Sequence, residues 1–378
     1  MRIKYINTKE GVVMKVKAAV CNEYKQPLAI EEVELDPPGK GEVRVRVAAC
    51  AICHSDIHSF RGEHGEGKLP GVGGHEVAGY VEELGEGVSY VKVGDPVTVS
   101  IVTTGCGQCY FCTIGQPILC QNKRIRLNMP GRYTNKKGER LTQFGGGLAG
   151  FVEYTTVSED RLVKIPPDMP IDRAALLACG VISGFGAVVN KAKVQPFSSV
   201  VVMGAGGVGL NAIQGARFSG AHPIIAVDVL DSKLEAAKAF GATHTINAKK
   251  DSNPVNTVRE ITSGRGADYV FIAVAGIEIK RQGFSMSGQS GMTVNIGHAG
   301  QEWMSAFDAT EFVGGKIITG SVMGMTRPRI DIPRLIELYQ YGRLKLDELI
   351  SRRYSLEDIN EALEVSATGD VMRNVIMF

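Results

Sequence analysis

The sequence lacks an excess of charge of either sign. Its 42 Lys and Arg residues nearly balance 40 Asp and Glu residues, which leaves a formal net charge of +2. Proteins that bind nucleic acids or anionic membrane surfaces usually concentrate basic side chains. The composition therefore gives no support to either class, and a hydrophobic content of 44% excludes an intrinsically disordered chain.

Long hydrophobic runs are also missing. Residues 1–20 contain no apolar core of signal-peptide length. The longest run without charge, residues 96–122, is interrupted by proline, glycine and four cysteines, which argues against a membrane-spanning helix there. We therefore expect a cytoplasmic protein. We interpret residues 1–13 as an N-terminal extension and expect the first strand to begin near Lys15.

The 378 residues are enough for about two domains. They divide into two parts with different patterns of predicted secondary structure. In the first half, short β-strands are separated by glycine and proline turns. Glu42–Cys50 alternates strictly, with its valines on one face, and Val77–Glu83 and Val97–Val102 are similar. This pattern predicts an antiparallel, β-rich domain.

The second half alternates apolar strands with helices. Ser199–Met203 and Ile224–Val227 are apolar strands, with a helical pattern over Gly207–Phe218 between them. A helix over Ser232–Phe240 has serine as its N-cap and ends at a glycine. This alternation predicts parallel βαβ units with helices on both faces of the sheet. Further strands are predicted over 269–274, 292–296 and 374–378, and further helices over 331–341 and after 355.

Four of the eight cysteines form the pattern C-x2-C-x2-C-x7-C, at Cys106, Cys109, Cys112 and Cys120. Four thiolates on one short loop can close a tetrahedron around Zn²⁺ and leave no position open, which makes a structural site. An iron–sulfur cluster is the alternative, because C-x2-C-x2-C also occurs in ferredoxins. Those motifs usually continue with Cys-Pro, whereas Pro117 here precedes the fourth cysteine. The sequence therefore favours zinc.

Residues 204–209 form the pattern G-A-G-G-V-G. The pattern follows an apolar strand, opens a helix and is followed 19 residues later by Asp228 at the end of the next strand. This is the context of a dinucleotide-binding loop, in which glycines permit a tight turn and a close approach of backbone to pyrophosphate. The Asp228 carboxylate would bind the ribose hydroxyls and repel the 2′-phosphate of NADP, so the sequence predicts NAD. The loop residues placed against the cofactor are Gly204, Gly206, Gly207, Val208 and Gly209.

Three further motifs carry residues that spacing alone does not connect: C-H-S-D-I-H at 53–58, G-H-E at 74–76 and C-G at 179–180. Together with the four-cysteine and glycine-rich loops, in this order, they resemble the zinc-containing alcohol dehydrogenases of the medium-chain dehydrogenase/reductase family. The resemblance extends from about Lys15 to Phe378. It implies an enzyme that transfers a hydride reversibly between an alcohol and NAD, giving an aldehyde or ketone, with two Zn²⁺ per subunit.

The fold implied by the resemblance is α/β combined with a β-rich part. A GroES-like antiparallel β catalytic domain would cover residues 1–182. A Rossmann domain with a doubly wound parallel sheet would bind NAD over 183–323, and residues 324–378 would return to the catalytic domain.

The resemblance also implies a ligand set. Cys53, His75 and Cys179 would hold the catalytic zinc, with a fourth position for water or substrate. Glu76 would lie next to the metal, and Asp56 would hold the His75 imidazole in its ligating tautomer. Zinc lowers the pKa of a bound hydroxyl, which is what removal of an alcohol proton at neutral pH requires.

A proton path and cofactor contacts follow from the same resemblance. Ser55 would take the alcohol proton and pass it through the cofactor ribose to His58, because an imidazole titrates near neutral pH. His54 stands where many relatives have a pyrophosphate-binding arginine. Cofactor contacts are implied for His54, Ser183, Lys233 and Arg373.

Substrate and assembly are predicted from few positions. Val102 falls where relatives often carry a large aromatic side chain, so we expect room for bulky, secondary or aromatic alcohols. His64 and His298 are also placed at the pocket. The long segment between Cys120 and Tyr154 favours a homodimer, with a tetramer as the alternative.

Three alternative functions are open. A glutathione-dependent formaldehyde (S-hydroxymethylglutathione) dehydrogenase is favoured by Arg124, which matches an arginine for the glutathione carboxylate. In those glutathione-dependent enzymes, however, the position that corresponds to His58 in the proton relay usually holds tyrosine. A non-catalytic nucleotide-binding relative would have lost catalytic ligands that are all present in this chain, and a polyol dehydrogenase usually lacks the four-cysteine loop. About two zinc ions per chain would favour the enzyme over the non-catalytic relative.

Overall fold

The computed structural model describes residues 5–8, 11–63, 68–122, 131–297 and 309–378. The chain divides into two compact units. The first contains residues 1–179, 327–338 and 346–378, and the second contains residues 180–326 and 339–345. The domain limits expected at 182 and 323 lie near these divisions, whereas residues 339–345 group with the second unit instead of the first.

Strands are numbered in chain order, and β12–β17 belong to the second unit. They are β1 (Tyr5–Thr8), β2 (Gly11–Cys21), β3 (Ala29–Leu35), β4 (Glu42–Ala51), β5 (Gly71–Val72), β6 (Glu76–Leu84), β7 (Pro96–Val99), β8 (Tyr133–Thr134), β9 (Thr142–Gln143), β10 (Tyr154–Ser158), β11 (Leu162–Lys164), β12 (Val200–Met203), β13 (Ile224–Asp228), β14 (His244–Asn247), β15 (Ala267–Ile272), β16 (Ser287–Asn295), β17 (Ile317–Gly320), β18 (Ile350–Tyr354) and β19 (Arg373–Met377).

The helices are also numbered in chain order. They are α1 (His54–Phe60), α2 (Tyr110–Thr113), α3 (Ile171–Leu176), α4 (Gly180–Gly186), α5 (Gly207–Phe218), α6 (Asp231–Phe240), α7 (Pro254–Ile261), α8 (Ile277–Met286), α9 (Pro328–Gln340) and α10 (Ile359–Thr368). Among the described residues, none of these helices is long and apolar enough to cross a membrane.

The first unit is built from two mainly antiparallel sheets, as the strand pattern in the first half of the sequence predicts. In the described residues, one sheet has the order β8-β3-β2-β5-β9 with β1 added to β2, and the other has the order β11-β7-β6-β4-β19-β18 with β10 added to β4. Apolar side chains from both sheets form one core cluster. The central strand β4 pairs antiparallel with β6 and β19, which places its carboxyl end between the amino ends of those two strands.

Two details of the first unit differ from the sequence prediction. The first long strand begins at Gly11, not near Lys15, because residues 11–14 continue the strand and pair with β1. β4 is buried on both faces instead of one. Its Arg44 is only 2% exposed. Burial of this charge is tolerated because the guanidinium donates to Glu83 at 2.5 Å and to the backbone oxygen of Asp36 at 3.0 Å.

The second unit confirms the predicted parallel βαβ architecture. Its sheet has the order β14-β13-β12-β15-β16-β17 in the described residues, and every neighbouring pair is parallel. Apolar side chains from its strands form a second core cluster. The N-cap prediction for α6 was wrong. The helix begins one residue earlier, at Asp231, whose carboxylate binds Lys250 and Asn247.

A buried carboxylate joins α3 to β18 within the first unit. Asp172 is 4% exposed and accepts hydrogen bonds from Arg173 at 2.9 Å and from Arg353 at 2.8 Å. Burial alone would raise the pKa of Asp172, but the hydrogen bonds and charges of the two arginines outweigh it and lower the pKa. The ionised form therefore stabilises the fold.

We expect Asp172→Asn to lower the free energy of unfolding by about 2 kcal/mol at neutral pH, because two charged donors lose their anionic acceptor. A depressed carboxyl pKa gives stability that is lost on acidification, so the difference from wild type should shrink as the pH falls below about 4. Urea unfolding followed by circular dichroism measures both effects. Asp347→Asn removes the exposed partner of Arg173 and serves as control, with an expected cost below about 1 kcal/mol. Equal losses in the two variants would contradict this account.

Candidate functional site

Four chemically reactive side chains of the first unit meet at one point. The ligand atoms of Cys53, His75, Glu76 and Cys179 all lie within 4.8 Å of one another, and all four residues are buried. Cys53 follows β4 and caps α1, whereas Glu76 begins β6. β4 and β6 are paired, which brings these two residues together. The structure thus assembles the ligand set that spacing could not connect.

The carboxylate of Asp56 organises this cluster. It is 1% exposed and accepts hydrogen bonds from the backbone N–H of Cys53 at 3.0 Å, from the backbone N–H of Gly74 at 3.1 Å and from His75 Nδ1 at 2.9 Å. Asp56 is the third residue of α1, so its bond to Cys53 N is half of a capping box. Because Nδ1 donates to Asp56, Nε2 of His75 is the ring nitrogen left to bind a metal.

The electrostatics of the cluster favour a bound cation. A hydrogen bond from the Cys179 thiol, assisted by the charges of His75 and Arg373, holds the pKa of Cys53 well below its ordinary value in spite of burial. Burial raises the pKa of Glu76 to about 8, against the opposing charge of Arg373. Two sulfurs and one imidazole are a known donor set for catalytic zinc in dehydrogenases. The residues present therefore fit a zinc ion.

Arg373 lies in this cluster, where the sequence did not place it. It is 6% exposed, its Nη2 lies 3.3 Å from Glu76 Oε1, and its Nη1 donates to the backbone oxygen of Ile52 at 3.1 Å. The nearby charges of Glu76 and Cys53 raise the pKa of Arg373 in spite of its burial. The sequence resemblance assigns Arg373 to the cofactor pyrophosphate. No sequence signal indicates its ion pair, because that contact exists only once β19 lies beside β4.

The four cysteines of the C-x2-C-x2-C-x7-C motif form a second cluster. Their sulfurs all lie within 4.8 Å of one another, with Cys106 and Cys112 4.0 Å apart and Cys109 and Cys120 3.9 Å apart. Hydrogen bonds from the backbone of Gln108 and Cys109 lower the pKa of Cys106 to about 6. Thiolates held by backbone N–H groups are suited to a tetrahedral metal site. In the described residues, this cluster and the buried one are the groups able to hold a metal ion.

The glycine-rich loop of the second unit has the predicted geometry. α5 begins at Gly207, and a Cβ added at Gly209 would lie 1.7 Å from the Gly204 oxygen, so helix and strand require glycine there. A Cβ added at Gly206 would meet no atom of the described residues within 4 Å, apart from its two chain neighbours. Packing of the protein itself therefore does not explain that glycine, whereas the approach of a pyrophosphate does. The loop fits a dinucleotide.

Asp228 ends β13, as predicted, and also supports the loop. Its carboxylate accepts hydrogen bonds from the backbone N–H groups of Ala205 at 2.8 Å and of Val229 at 2.7 Å. The backbone N–H of Leu230 donates as well, at 3.1 Å, and because a carboxylate has about four acceptor positions, one remains for a ribose hydroxyl. The sequence did not predict the contact to the loop backbone.

The remaining predicted residues are placed as follows. Ser55 and His58 lie on α1 and are partly exposed, and the Cys53 sulfur is 3.7 Å from Ser55 Oγ. His54 is exposed at the start of the same helix, and Val102 is partly exposed. In the second unit, Lys233 is partly exposed on α6, and Ser183 is buried on α4 with its hydroxyl 3.6 Å from the Met323 sulfur. His64, His298 and Arg124 lie outside the described residues.

Two family models match the chain. The model of the alcohol dehydrogenase GroES-like domain matches residues 39–167, and the model of zinc-binding dehydrogenases matches residues 207–340. The chain is 38% identical to an S-(hydroxymethyl)glutathione dehydrogenase of Saccharomyces cerevisiae, and the match covers 97% of both chains.

Solved structures agree with these matches. A structure of an alcohol dehydrogenase zinc-binding domain protein from Burkholderia ambifaria is similar with a TM-score of 0.91 and 33% identity, over 97% of this chain and 99% of that one. A benzyl alcohol dehydrogenase from Acinetobacter calcoaceticus is similar with a TM-score of 0.88 and 35% identity, over 96% of this chain and 99% of that one.

We expect Asp56→Asn to weaken zinc binding at the buried cluster about 10- to 100-fold, because the imidazole loses the anion that orients it. The cysteine-only cluster should keep its zinc. Metal analysis after stepwise competition with a chelator measures the two affinities separately, and circular dichroism checks the fold. Asp370→Asn changes an exposed carboxylate and is the control. Loss of both ions together, or retention of both, would contradict the role assigned to Asp56.

Proposed function

Because the chain belongs to the zinc-containing alcohol dehydrogenases of the medium-chain dehydrogenase/reductase family, we propose that Cys53, His75 and Cys179 hold its catalytic zinc. The enzyme is an NAD-dependent oxidoreductase that acts on alcohols and aldehydes. We assign a structural zinc to the cysteine-only cluster. The observation that supports these assignments best is the convergence of buried sulfur and nitrogen donors within 4.8 Å.

Residues around the metal have separate tasks. A zinc ion held there would act as a Lewis acid that lowers the pKa of an alcohol hydroxyl or polarises a carbonyl. Asp56 holds His75 in the tautomer that leaves Nε2 for the metal, at an observed 2.9 Å. Arg373 places a positive charge 3.3 Å from Glu76, where it opposes the effect of burial on the pKa of that carboxyl group.

The protons of the reaction leave through α1. Ser55 accepts the hydroxyl proton of the alcohol and at the same time releases its own hydroxyl proton towards His58, since it is the nearest hydroxyl to Cys53 along the helix. His58 follows three residues later and is therefore its neighbour on the helix surface. As a partly exposed imidazole, His58 exchanges that proton with water.

The second unit binds the cofactor. NAD supplies the acceptor for the hydride. The loop over 204–209 takes the pyrophosphate, and Asp228 binds the adenosine ribose and selects against the 2′-phosphate of NADP by its charge. Lys233 lies on the helix that follows Asp228. His54, Ser183 and Arg373 complete the proposed cofactor contacts.

We propose a bulky or aromatic primary or secondary alcohol as the substrate. The similarity to a benzyl alcohol dehydrogenase supports this proposal, as does the small side chain of Val102. S-(hydroxymethyl)glutathione is the second candidate, because a relative of 38% identity carries that name. The histidine at position 58, where those enzymes usually have tyrosine, favours the first candidate.

We expect benzyl alcohol to reduce NAD, and Cys179→Ser to abolish this activity while the cysteine-only cluster keeps its zinc. The absorbance of NADH or NADPH measures the rates with primary, secondary and aromatic alcohols and with S-(hydroxymethyl)glutathione, each tested with NAD and with NADP. The aromatic alcohol with NAD should give the highest kcat/KM. A clear preference for the glutathione adduct would replace our first candidate by the second. An unchanged rate in Cys179→Ser would refute the proposed zinc site.

The apolar edge of the second unit supports a homodimer, and the state of the cysteines supports a cytoplasmic location. β17 lies at the edge of the sheet in the described residues, and Ile317 is 46% exposed there. Val313 and Val322, on either side of the strand, are 86% and 49% exposed. An edge strand flanked by exposed apolar side chains is suited to pairing with the same strand of a second copy. The cysteines of both clusters, which all lie in the described residues, form no disulfide, and this suits a reducing compartment.

We expect light scattering to give twice the chain mass of 40.6 kDa, and Ile317→Lys to shift the protein to monomers, because a charge in the paired edge stays desolvated. Val93→Lys, at an apolar residue of the first unit that is 61% exposed, should leave the mass unchanged. A dimer that survives Ile317→Lys would exclude this edge as the dimer interface. A wild-type protein of four times the chain mass would show that the assembly is a tetramer instead of a dimer.

A further inference from the structure

The backbone at the end of α1 fixes the position of Glu63. The N–H of Glu63 donates to the backbone oxygen of His58 at 2.9 Å, and the N–H of Gly62 donates to that of Ser59 at 3.1 Å. These are the two bonds of a Schellman motif, in which the residue after the left-handed glycine folds back over the helix. Gly62 has the required φ of +73°. Glu63 is therefore locked to the turn of the helix that carries His58.

The side chains of the same two residues are paired. Glu63 Oε2 contacts His58 Nδ1, and both side chains are partly exposed, at 45% and 35%. An exposed ion pair of this kind adds little to stability. Its effect on the imidazole is specific, because a carboxylate that accepts from Nδ1–H fixes the tautomer and the ring plane. Nε2 is then the nitrogen that exchanges protons.

We propose that Glu63 is a positioning residue for the proton exit, which holds His58 so that its Nε2 accepts and releases the proton. This inference rests on the relay proposed above for Ser55 and His58. In the transfer, a proton arrives at Nε2 while Nδ1–H stays bonded to Glu63. The imidazolium then gives the Nε2 proton to water or a buffer base, and the neutral tautomer is restored. The carboxylate is never protonated in this cycle.

The proposal is tested by the rate of NADH formation in the first turnover, in which product release plays no part. Glu63→Gln should slow this step about tenfold, in the range found for residues that orient a functional imidazole. Added imidazole buffer at constant pH and ionic strength should restore the rate, because an external base replaces the misoriented His58. Glu364→Gln, an exposed carboxylate of α10, is the matched control and should react at the wild-type rate.

A double-mutant comparison separates positioning from a structural role. If Glu63 acts through His58, Glu63→Gln has no further effect in a His58→Ala background. A wild-type rate in Glu63→Gln, a loss that imidazole does not restore, or an equal loss in the His58→Ala background would each overturn the proposal. Failure of the underlying function gives a different result: the wild type forms no NADH, or His58→Ala reacts as fast as wild type.

Discussion

Three hydrogen bonds to one buried carboxylate fix the geometry of the proposed active site. Asp56 ties the start of α1, the turn before β6 and the imidazole of His75 to a single pair of oxygens. A carboxylate that is 1% exposed requires such donors, because burial without them is costly. The direction of His75 Nε2 and the place of Cys53 both depend on this arrangement.

Charge balance is the second constraint on the site. Cys53 and Asp56 bring negative charge into a buried region beside the carboxyl group of Glu76, and an uncompensated charge is unfavourable there. Arg373 supplies one positive charge within 3.3 Å of Glu76. A divalent cation bound by two sulfurs and an imidazole, as proposed above, would supply the remainder. The same balance couples the metal ligands to a residue near the end of the chain.

Sequence patterns predicted the features whose cause is local. The glycine-rich loop and the four-cysteine loop follow from the requirements of a few neighbouring residues, and the parallel sheet follows from continuous apolar strands. Cys53, His75 and Cys179 lie far apart in the chain, so only the family resemblance connected them. The ion pair of Arg373 was not predictable, because it arises from the pairing of β19 with β4. The position of Glu63 has a local signal, a glycine two residues after the last residue of a helix.

Anomalous diffraction from crystals, measured above and below the zinc absorption edge, tests the central claim most directly. The account predicts two zinc peaks per chain. One should lie within bonding distance of Cys53 Sγ, His75 Nε2 and Cys179 Sγ, and the other among the four sulfurs of the cysteine-only cluster. A single peak at the cysteine-only cluster, in crystals of protein purified with zinc present, would contradict catalysis by a zinc ion bound to Cys53, His75 and Cys179.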